Sequence, residues 1–307
     1  MIERIIKENF DVETKCEKMF GDASSREYFR LTNVKGSFVL VKDQPNAQQI
    51  IDFIKINEVL PNEIKRPSII KYSNEDGYLL QEDIGGKHLF DEDLKRKHFF
   101  EEAIYRIFDY QKINVNNFVN KEKSFDYKKL MFESDVAVEY LLKKHCQLEC
   151  PEYYKRIFSK IHEVFQSNQV LCHRDYHSKN LMIHEDSLYH IDFQDAMIGP
   201  SLYDLVSFVE DPYYAYEEDY KKEFKQLFFE NESFYSSFEE FQSDYNIIAF
   251  QRLFKAMGSY TFLNYEKEKA GYLQYLKPAM INMKSIVQNI KEAEFEIFFT
   301  EIEEALR

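Results

Sequence analysis

The sequence predicts an α+β chain of two unequal parts: a small N-terminal antiparallel sheet with one helix, then a large, mostly helical part. Three observations carry this expectation. Strand signals concentrate in the first quarter, where residues 28–32 and 37–42 flank a turn at 33–36, and residues 69–72 and 78–81 extend the sheet. Beyond residue 90 the apolar residues recur with helical period near 94–111, 126–145, 151–166 and 233–306. A single short hairpin, 181–184 against 188–191 with Glu185-Asp186-Ser187 at its turn, interrupts the helical part. The pattern changes near Asp83-Ile84-Gly85-Gly86, so the expected lobes are residues 1–84 and 85–307.

Composition narrows the function classes. A hydrophobic fraction of 44 % with 31 % charged residues over 307 positions describes a chain that buries a core rather than a disordered one. Forty Lys+Arg against fifty-four Asp+Glu leave a net charge of −14, which works against non-specific binding to nucleic acid or anionic membranes. No apolar run approaches the ~18 residues of a membrane helix. The charged N-terminus has no signal-peptide core. Cys16, Cys146, Cys150 and Cys172 form no CxxC pair and no disulfide framework, which fits a reducing cytoplasm. The 28 Phe and 22 Tyr, with no Trp, are read as compositional bias rather than as a stacking surface.

The helix of the small lobe is expected to start near Pro45-Asn46, with Gln49 in a capping arrangement, and to stop at Pro61. Ile51 and Ile54 set an apolar stripe that places Glu58 on the buried side. A buried acid needs a cation, and Lys42, at the end of the preceding apolar strand, is the nearest candidate. Two snorkelling surface groups are the alternative.

The chemistry concentrates in His173-Arg174-Asp175-Tyr176-His177-Ser178-Lys179-Asn180, followed by the hairpin and Asp192-Phe193-Gln194-Asp195. Asp175, Asn180 five residues on, and Asp192 after a strand bring oxygen-bearing groups to adjacent loops. Hard divalent ions want such oxygens and take phosphate as further ligands. Phosphoryl transfer needs this charge neutralisation and a carboxylate to align the acceptor hydroxyl. Asn180 and Asp192 are therefore candidate Mg²⁺ ligands and Asp175 the candidate base. Zinc is the competing metal, since His173 and His177 are four apart with His184 and His190 nearby. The hairpin that follows at once and the lack of a third ligand at zinc-like spacing argue against it. His173 is expected to orient the loop.

His173-Arg174-Asp175 with Asn180 resembles the HRDxxxxN catalytic loop of the protein-kinase-like superfamily, with Asp192-Phe193 where its metal-binding Asp belongs. No G-x-G-x-x-G precedes Lys42 and no A-P-E follows Asp192, so the resemblance is to the aminoglycoside-phosphotransferase and choline-kinase branch. Within it the chain is most similar to the N-acetylmuramate/N-acetylglucosamine anomeric sugar kinases. The likeness runs through 21–30 (Gly21-Asp22-Ala23-Ser24-Ser25-Arg26 onward), 79–85, the HRDYH loop, Asp192-Phe193-Gln194-Asp195-Ala196, Gly199-Pro200, Tyr203-Asp204-Leu205 and 251–258.

That resemblance implies a bilobal kinase-like fold using ATP and Mg²⁺ on a small-molecule hydroxyl acceptor. It implies that Ser24 and Ser25 cover the phosphates, that Lys42 binds them with Glu58 as partner, and that Gln81, Glu82, Asp83 and Ile84 form the hinge that reads adenine. Asp204 is expected to brace the catalytic loop. His177, Tyr176, Asp195 and Arg252 are the candidate acceptor contacts, although Arg252 and Lys255, one turn apart, also read as a solvated helix face. Two departures stand out: Lys42-Asp43 replaces the Met-Asp pair of these sugar kinases, and the Trp they place after the hinge-side Glu is missing. That leaves the acceptor open if the Trp packs on sugar, and is made good by Tyr140 or Phe132 if it only fills the core. The acceptor therefore stays open between a sugar, an aminoglycoside, an amino alcohol or another polyol, with an inert nucleotide-binding pseudokinase as a further alternative.

Overall fold

The computed structural model describes residues 2–10, 12–19, 26–118 and 122–307. Ser24 and Ser25 lie outside the described residues. After α1 (Ile2–Asn9), five strands, β1 (Lys15–Met19), β2 (Glu27–Asn33), β3 (Gly36–Lys42), β4 (Ile69–Ser73) and β5 (Tyr78–Glu82), pair antiparallel in the order β1-β2-β3-β5-β4. Between β3 and β4 runs α2 (Gln48–Val59). It starts at Ala47 without the expected side-chain cap, and Pro61 follows its end as read from the sequence.

Both faces of this sheet are covered, which explains its apolar strands. Phe29, Leu31, Leu40, Tyr78 and Leu80 pack with Ile5 of α1 and with Phe10 in one cluster. Val41 and Leu79 point the other way and join Ile50, Phe53 and Ile54 of α2 in the main core. Strand side chains alternate between faces, so odd-numbered positions of β3 look toward α2 and even-numbered ones toward α1.

The helical part begins after β6 (Lys87–His88). It contains α3 (Lys97–Gln111), α4 (Tyr127–Ala137) continued by a wider-wound segment over Val138–Cys146, and α5 (Tyr154–Phe165). The strands β7 (Gln169–Cys172), β8 (Leu181–His184), β9 (Ser187–His190) and β10 (Met197–Pro200) follow, then α6 (Tyr203–Val209), α7 (Glu218–Asn231), α8 (Phe238–Lys267), α9 (Leu276–Val287) and α10 (Ala293–Ala305). The β8–β9 hairpin matches the sequence reading, and β6 extends it. The β7–β10 pair is a correction, because residues 169–172 and 197–200 were expected to fall in helical surroundings. The stretch of helical period read at 233–306 holds α8, a 3-10 turn over Ala270–Tyr275, α9 and α10.

Aromatic side chains fill this core. Tyr110, Tyr176, Tyr203, Phe99, Phe100, Phe165 and Phe208 are fully buried. Burying each contributes roughly 1.5–3 kcal/mol, so packing alone accounts for most of the Phe and Tyr excess. Helix α8 is buried nearly all round; Ser237 caps its start by accepting from the Glu240 N–H at 3.2 Å.

Candidate active site

Strand β7 delivers the catalytic loop and Asp204, at the start of α6, fixes its shape. The buried carboxylate accepts the backbone N–H groups of His173 at 2.6 Å and Arg174 at 2.9 Å. Arg174, between those bonds, stands at φ +78°, in the left-handed region that non-glycine residues adopt uncommonly. Burial pushes the Asp204 carboxyl up to about 7 against the pull of the two N–H donors. His173, also buried, donates from Nε2 to the Ile191 carbonyl at 3.1 Å, tying the loop to the strand end that carries Asp192. Both residues sit where a bracing role requires. A second buried brace was missed in the sequence: Asp211 accepts from the Ser178 N–H (2.9 Å) and hydroxyl (2.6 Å) and from the Tyr213 N–H (2.8 Å).

Asp175, Asn180, Asp192 and Asp195 all line a cleft of about 930 Å³ bounded by both lobes. Asn180 donates from Nδ2 to the Asp175 carbonyl at 2.9 Å, with His177 Nε2 at 3.4 Å from the same nitrogen, which leaves its oxygen to accept. Asp192, at φ +62°, accepts from Gln194 at 2.9 Å and pairs with Arg26 at 2.9 Å. One amide oxygen and one carboxylate suit a hard divalent ion that takes its remaining ligands from water and phosphate. Among the described residues no three His, Cys, Asp or Glu side chains converge as a metal cage.

Asp175 stands among cations. Lys255 Nζ is 3.9 Å from its carboxylate, and Arg174 and Arg252 are close. Burial pushes the carboxyl up, but these three charges outweigh it and hold Asp175 well below the usual carboxylate range. Lys255 in turn is lowered by burial and by Arg252, to about 8. Glu133 on α4 closes the cluster. It is 4 % exposed and takes Arg174 at 3.3 Å, Lys129 at 3.4 Å and Gln251 at 3.2 Å. Arg174 also reaches Asp195 at 3.6 Å.

Two expectations for the small lobe are corrected. Lys42 does not face the cleft. Val39 and Val41 line it, and by alternation Lys42 points to the α1 face, where it pairs with Glu27 at 2.9 Å beside Lys18. Glu58 is exposed and does not meet Lys42, because α2 is rotated so that Gln49, Ile50 and Phe53 look into the cleft. The buried acid of α2 is Asp52, held by Lys123 and by Gln48. On its cleft face the helix presents Phe53, stacked on Phe193 with ring centroids 4.5 Å apart.

At the hinge, Gln81, Glu82, Asp83 and Ile84 line the cleft as expected. Asp83 is anchored by Arg30 at 2.6 Å and by the Ser37 hydroxyl at 2.6 Å. Gly86 lets the chain cross the hairpin closely, since a Cβ there would lie 2.3 Å from the Ile183 carbonyl oxygen.

On the far side of Asp175 the cleft is lined by His177, Lys179, Tyr213, Arg252, Lys255, Tyr260 and Tyr272. Burial pushes the His177 imidazole down to about 3, leaving it neutral near pH 7. Tyr176 is a correction: it is fully buried, and its hydroxyl donates to the Ala103 carbonyl at 2.7 Å. Arg252 is 9 % exposed and donates to Ser207, so the solvated-face reading of Arg252 and Lys255 fails. Phe132 is 63 % exposed, and Tyr140 packs edge-on against Phe262 at 5.0 Å; neither lines the cleft. The tyrosines that do on this side, Tyr213, Tyr260 and Tyr272, went unread because nothing in the chain separates them from core aromatics.

With this geometry in place, residues 16–236 match the phosphotransferase enzyme family. The chain belongs to that family. A curated relative from Pseudomonas aeruginosa, named N-acetylmuramate/N-acetylglucosamine kinase, is 26 % identical over 265 residues, covering 82 % of this chain and 78 % of the relative. Among solved structures, a putative aminoglycoside phosphotransferase from Ralstonia eutropha superposes with a TM-score of 0.66 at 11 % identity, covering 99 % of this chain and 97 % of the other. A spectinomycin phosphotransferase in complex with ADP and spectinomycin gives 0.64 at 13 % identity, covering 92 % and 96 %. These likenesses carry the kinase-like bilobal fold, and family membership makes this phosphotransferase a small-molecule kinase. Among the described residues no helix is long and apolar enough to cross a membrane.

Proposed function

We propose that this kinase transfers the γ-phosphoryl group of ATP to a sugar hydroxyl, the anomeric 1-hydroxyl of N-acetylmuramate or N-acetylglucosamine, in the cytoplasm. The observation that carries the reading is the Asp175 carboxylate, kept ionised in a two-lobed cleft beside Asn180 and Asp192. An ionised carboxylate there accepts the hydrogen bond of the acceptor hydroxyl, aligns its oxygen for in-line attack and takes the proton as the P–O bond forms. Asn180 and Asp192 are the residues that would hold Mg²⁺, which when bound neutralises phosphate charge. In the hinge at 81–84 the Glu82 and Asp83 N–H groups already donate to the Ser68 and Ser37 carbonyls, so the remaining backbone groups would read adenine, with the lobe boundary taken at 84. His177, Asp195 and Arg252 are the candidate acceptor contacts.

The names of the curated relatives support the amino-sugar acceptor. Lys255, Arg252 and Lys179 line the acceptor side together with Asp175, Asp195 and Asp211, so the wall has no single sign; its cations can still meet a carboxylate such as the lactyl group of N-acetylmuramate. Purified protein with ATP, Mg²⁺ and either sugar should release ADP and form the sugar 1-phosphate, read by coupled assay and by phosphorus NMR. Phosphorylation elsewhere on the ring would remove the anomeric assignment, and turnover of an aminoglycoside or amino alcohol in its place would remove the sugar.

A further inference from the structure

We infer that Arg26, and not a lysine of β3, is the side chain with which the small lobe grips the nucleotide phosphates, and that its pairing with Asp192 is the contact the nucleotide replaces. The inference rests on the reading of the cleft as a nucleotide site and assigns that site a residue.

Parity in the sheet comes first. Arg26, Tyr28 and Arg30 line the cleft, as do Val39 and Val41 of β3 and Leu79 and Gln81 of β5. Lys18, Glu27 and Lys42 form an ion-paired group on the opposite face. Lys42 is the last residue of β3 and is paired across to Glu27 and Tyr78. To reach the cleft it would have to move by one register step, which would also turn Val41 out of the core. The cleft-facing position of β3 is thus occupied by a valine that can bind no anion.

A triphosphate nevertheless needs a cation from this lobe, and the cleft wall offers two. Arg30 is committed at the hinge end, where it holds Asp83. Arg26 lies just before the other end of β2, on the same side of the cleft. Its side chain is 10 % exposed, its guanidinium is 5.6 Å from the Tyr28 ring, and its Nη2 is 2.9 Å from Asp192 Oδ1. It therefore touches the carboxylate expected to share a metal with the phosphates. A guanidinium binds carboxylate and phosphate through the same planar donor geometry, so one anion can replace the other with little movement of the arginine. When phosphate takes over the guanidinium, the Asp192 carboxylate is released to the cation it would hold. The arginine thus supplies both the phosphate contact and the exchange that readies Asp192.

The test is nucleotide affinity by titration calorimetry, without acceptor, for the unaltered protein and for Arg26→Ala, Arg26→Lys and Lys42→Ala. Arg26→Ala should weaken ATP and ADP by about tenfold or more while adenosine stays within about twofold. Arg26→Lys should recover part of the loss, and Lys42→Ala should bind all three ligands within about twofold of the unaltered protein. Unchanged ATP affinity in Arg26→Ala overturns the assignment, as does an equal loss for adenosine, which would mark a structural role. A Lys42→Ala protein that loses ATP overturns the parity argument. Failure of the unaltered protein to bind any nucleotide would instead remove the functional reading of the cleft.

Discussion

Lys255 Nζ lies 3.9 Å from the Asp175 carboxylate in a pocket that also holds Arg252 and Arg174, so the candidate base and its nearest cation control each other's charge. The lysine helps keep Asp175 ionised, and the crowd of cations, together with burial, lowers the lysine to about 8. The ammonium is therefore present below pH 8 and lost as pH rises through that value.

This predicts an alkaline limb in kcat/KM near pH 8, caused by loss of the Lys255 charge beside the transferring phosphoryl group. Lys255→Arg should carry the limb well above pH 9, because arginine stays charged to about pH 12. Lys255→Met should abolish the limb and lower kcat about 10²-fold. It should also move the acid limb upward, since Asp175 loses a cation that holds it down. An arginine variant with an unshifted alkaline limb would assign that ionisation to another group.

Replacing the base separates chemistry from binding. Asp175→Asn keeps the shape of the loop, because the Asn180 amide bonds to the Asp175 backbone carbonyl rather than to its side chain. The expected outcome is a fall in single-turnover rate of about 10²–10⁴-fold, with ATP affinity unchanged by calorimetry. Turnover within tenfold of the unaltered protein would mean that Asp175 is not the base.

The catalytic loop was legible in the sequence because its roles sit on consecutive residues, and a chain segment that short brings Asp175 and Asn180 together in any arrangement of the rest. Asp204, thirty residues beyond Arg174, was read only through the resemblance, since spacing alone does not link it to the loop. The small lobe was not. Val39-Leu40-Val41 is apolar throughout because both sheet faces are covered, and a strand buried on both sides does not reveal which parity faces the cleft. Lys42 follows that run by one residue, and one residue decides the face. Helix α2 misled in the same way: Ile50, Ile51, Phe53, Ile54 and Ile56 admit more than one apolar stripe, and the true phase exposes Glu58 and buries Asp52. Tyr176 failed because an aromatic next to a catalytic residue packs inward as readily as it faces a ligand.

The brace formed by Asp204 is expected to be structural. Asp204→Ala leaves the N–H groups of His173 and Arg174 buried without an acceptor, at about 1–3 kcal/mol each, so a loss of roughly 2–6 kcal/mol in urea denaturation is expected. Asp204→Asn keeps one acceptor oxygen and should lose about half as much. An alanine variant as stable as the unaltered protein yet inactive would place Asp204 in the chemistry instead.

Gly258 tests whether helix packing sets the active-site charge cluster. It lies where α8 crosses α4, and a Cβ there would sit 2.5 Å from the Ala137 Cα and 2.6 Å from its Cβ. Gly258→Ala must push the helices apart, an overpacking that costs about 1–3 kcal/mol and should appear as a lowered Tm. The two helices carry opposite halves of the cluster, Glu133 on α4 and Gln251, Arg252 and Lys255 on α8. Their separation should therefore lower kcat at temperatures where the variant is still folded. Adding Ala137→Gly removes one of the clashing atoms but leaves the Ala137 Cα and N positions, at 2.5 and 3.0 Å, in place. The double variant should recover only part of both losses, and recovery of Tm without kcat would show that the cluster does not depend on this crossing.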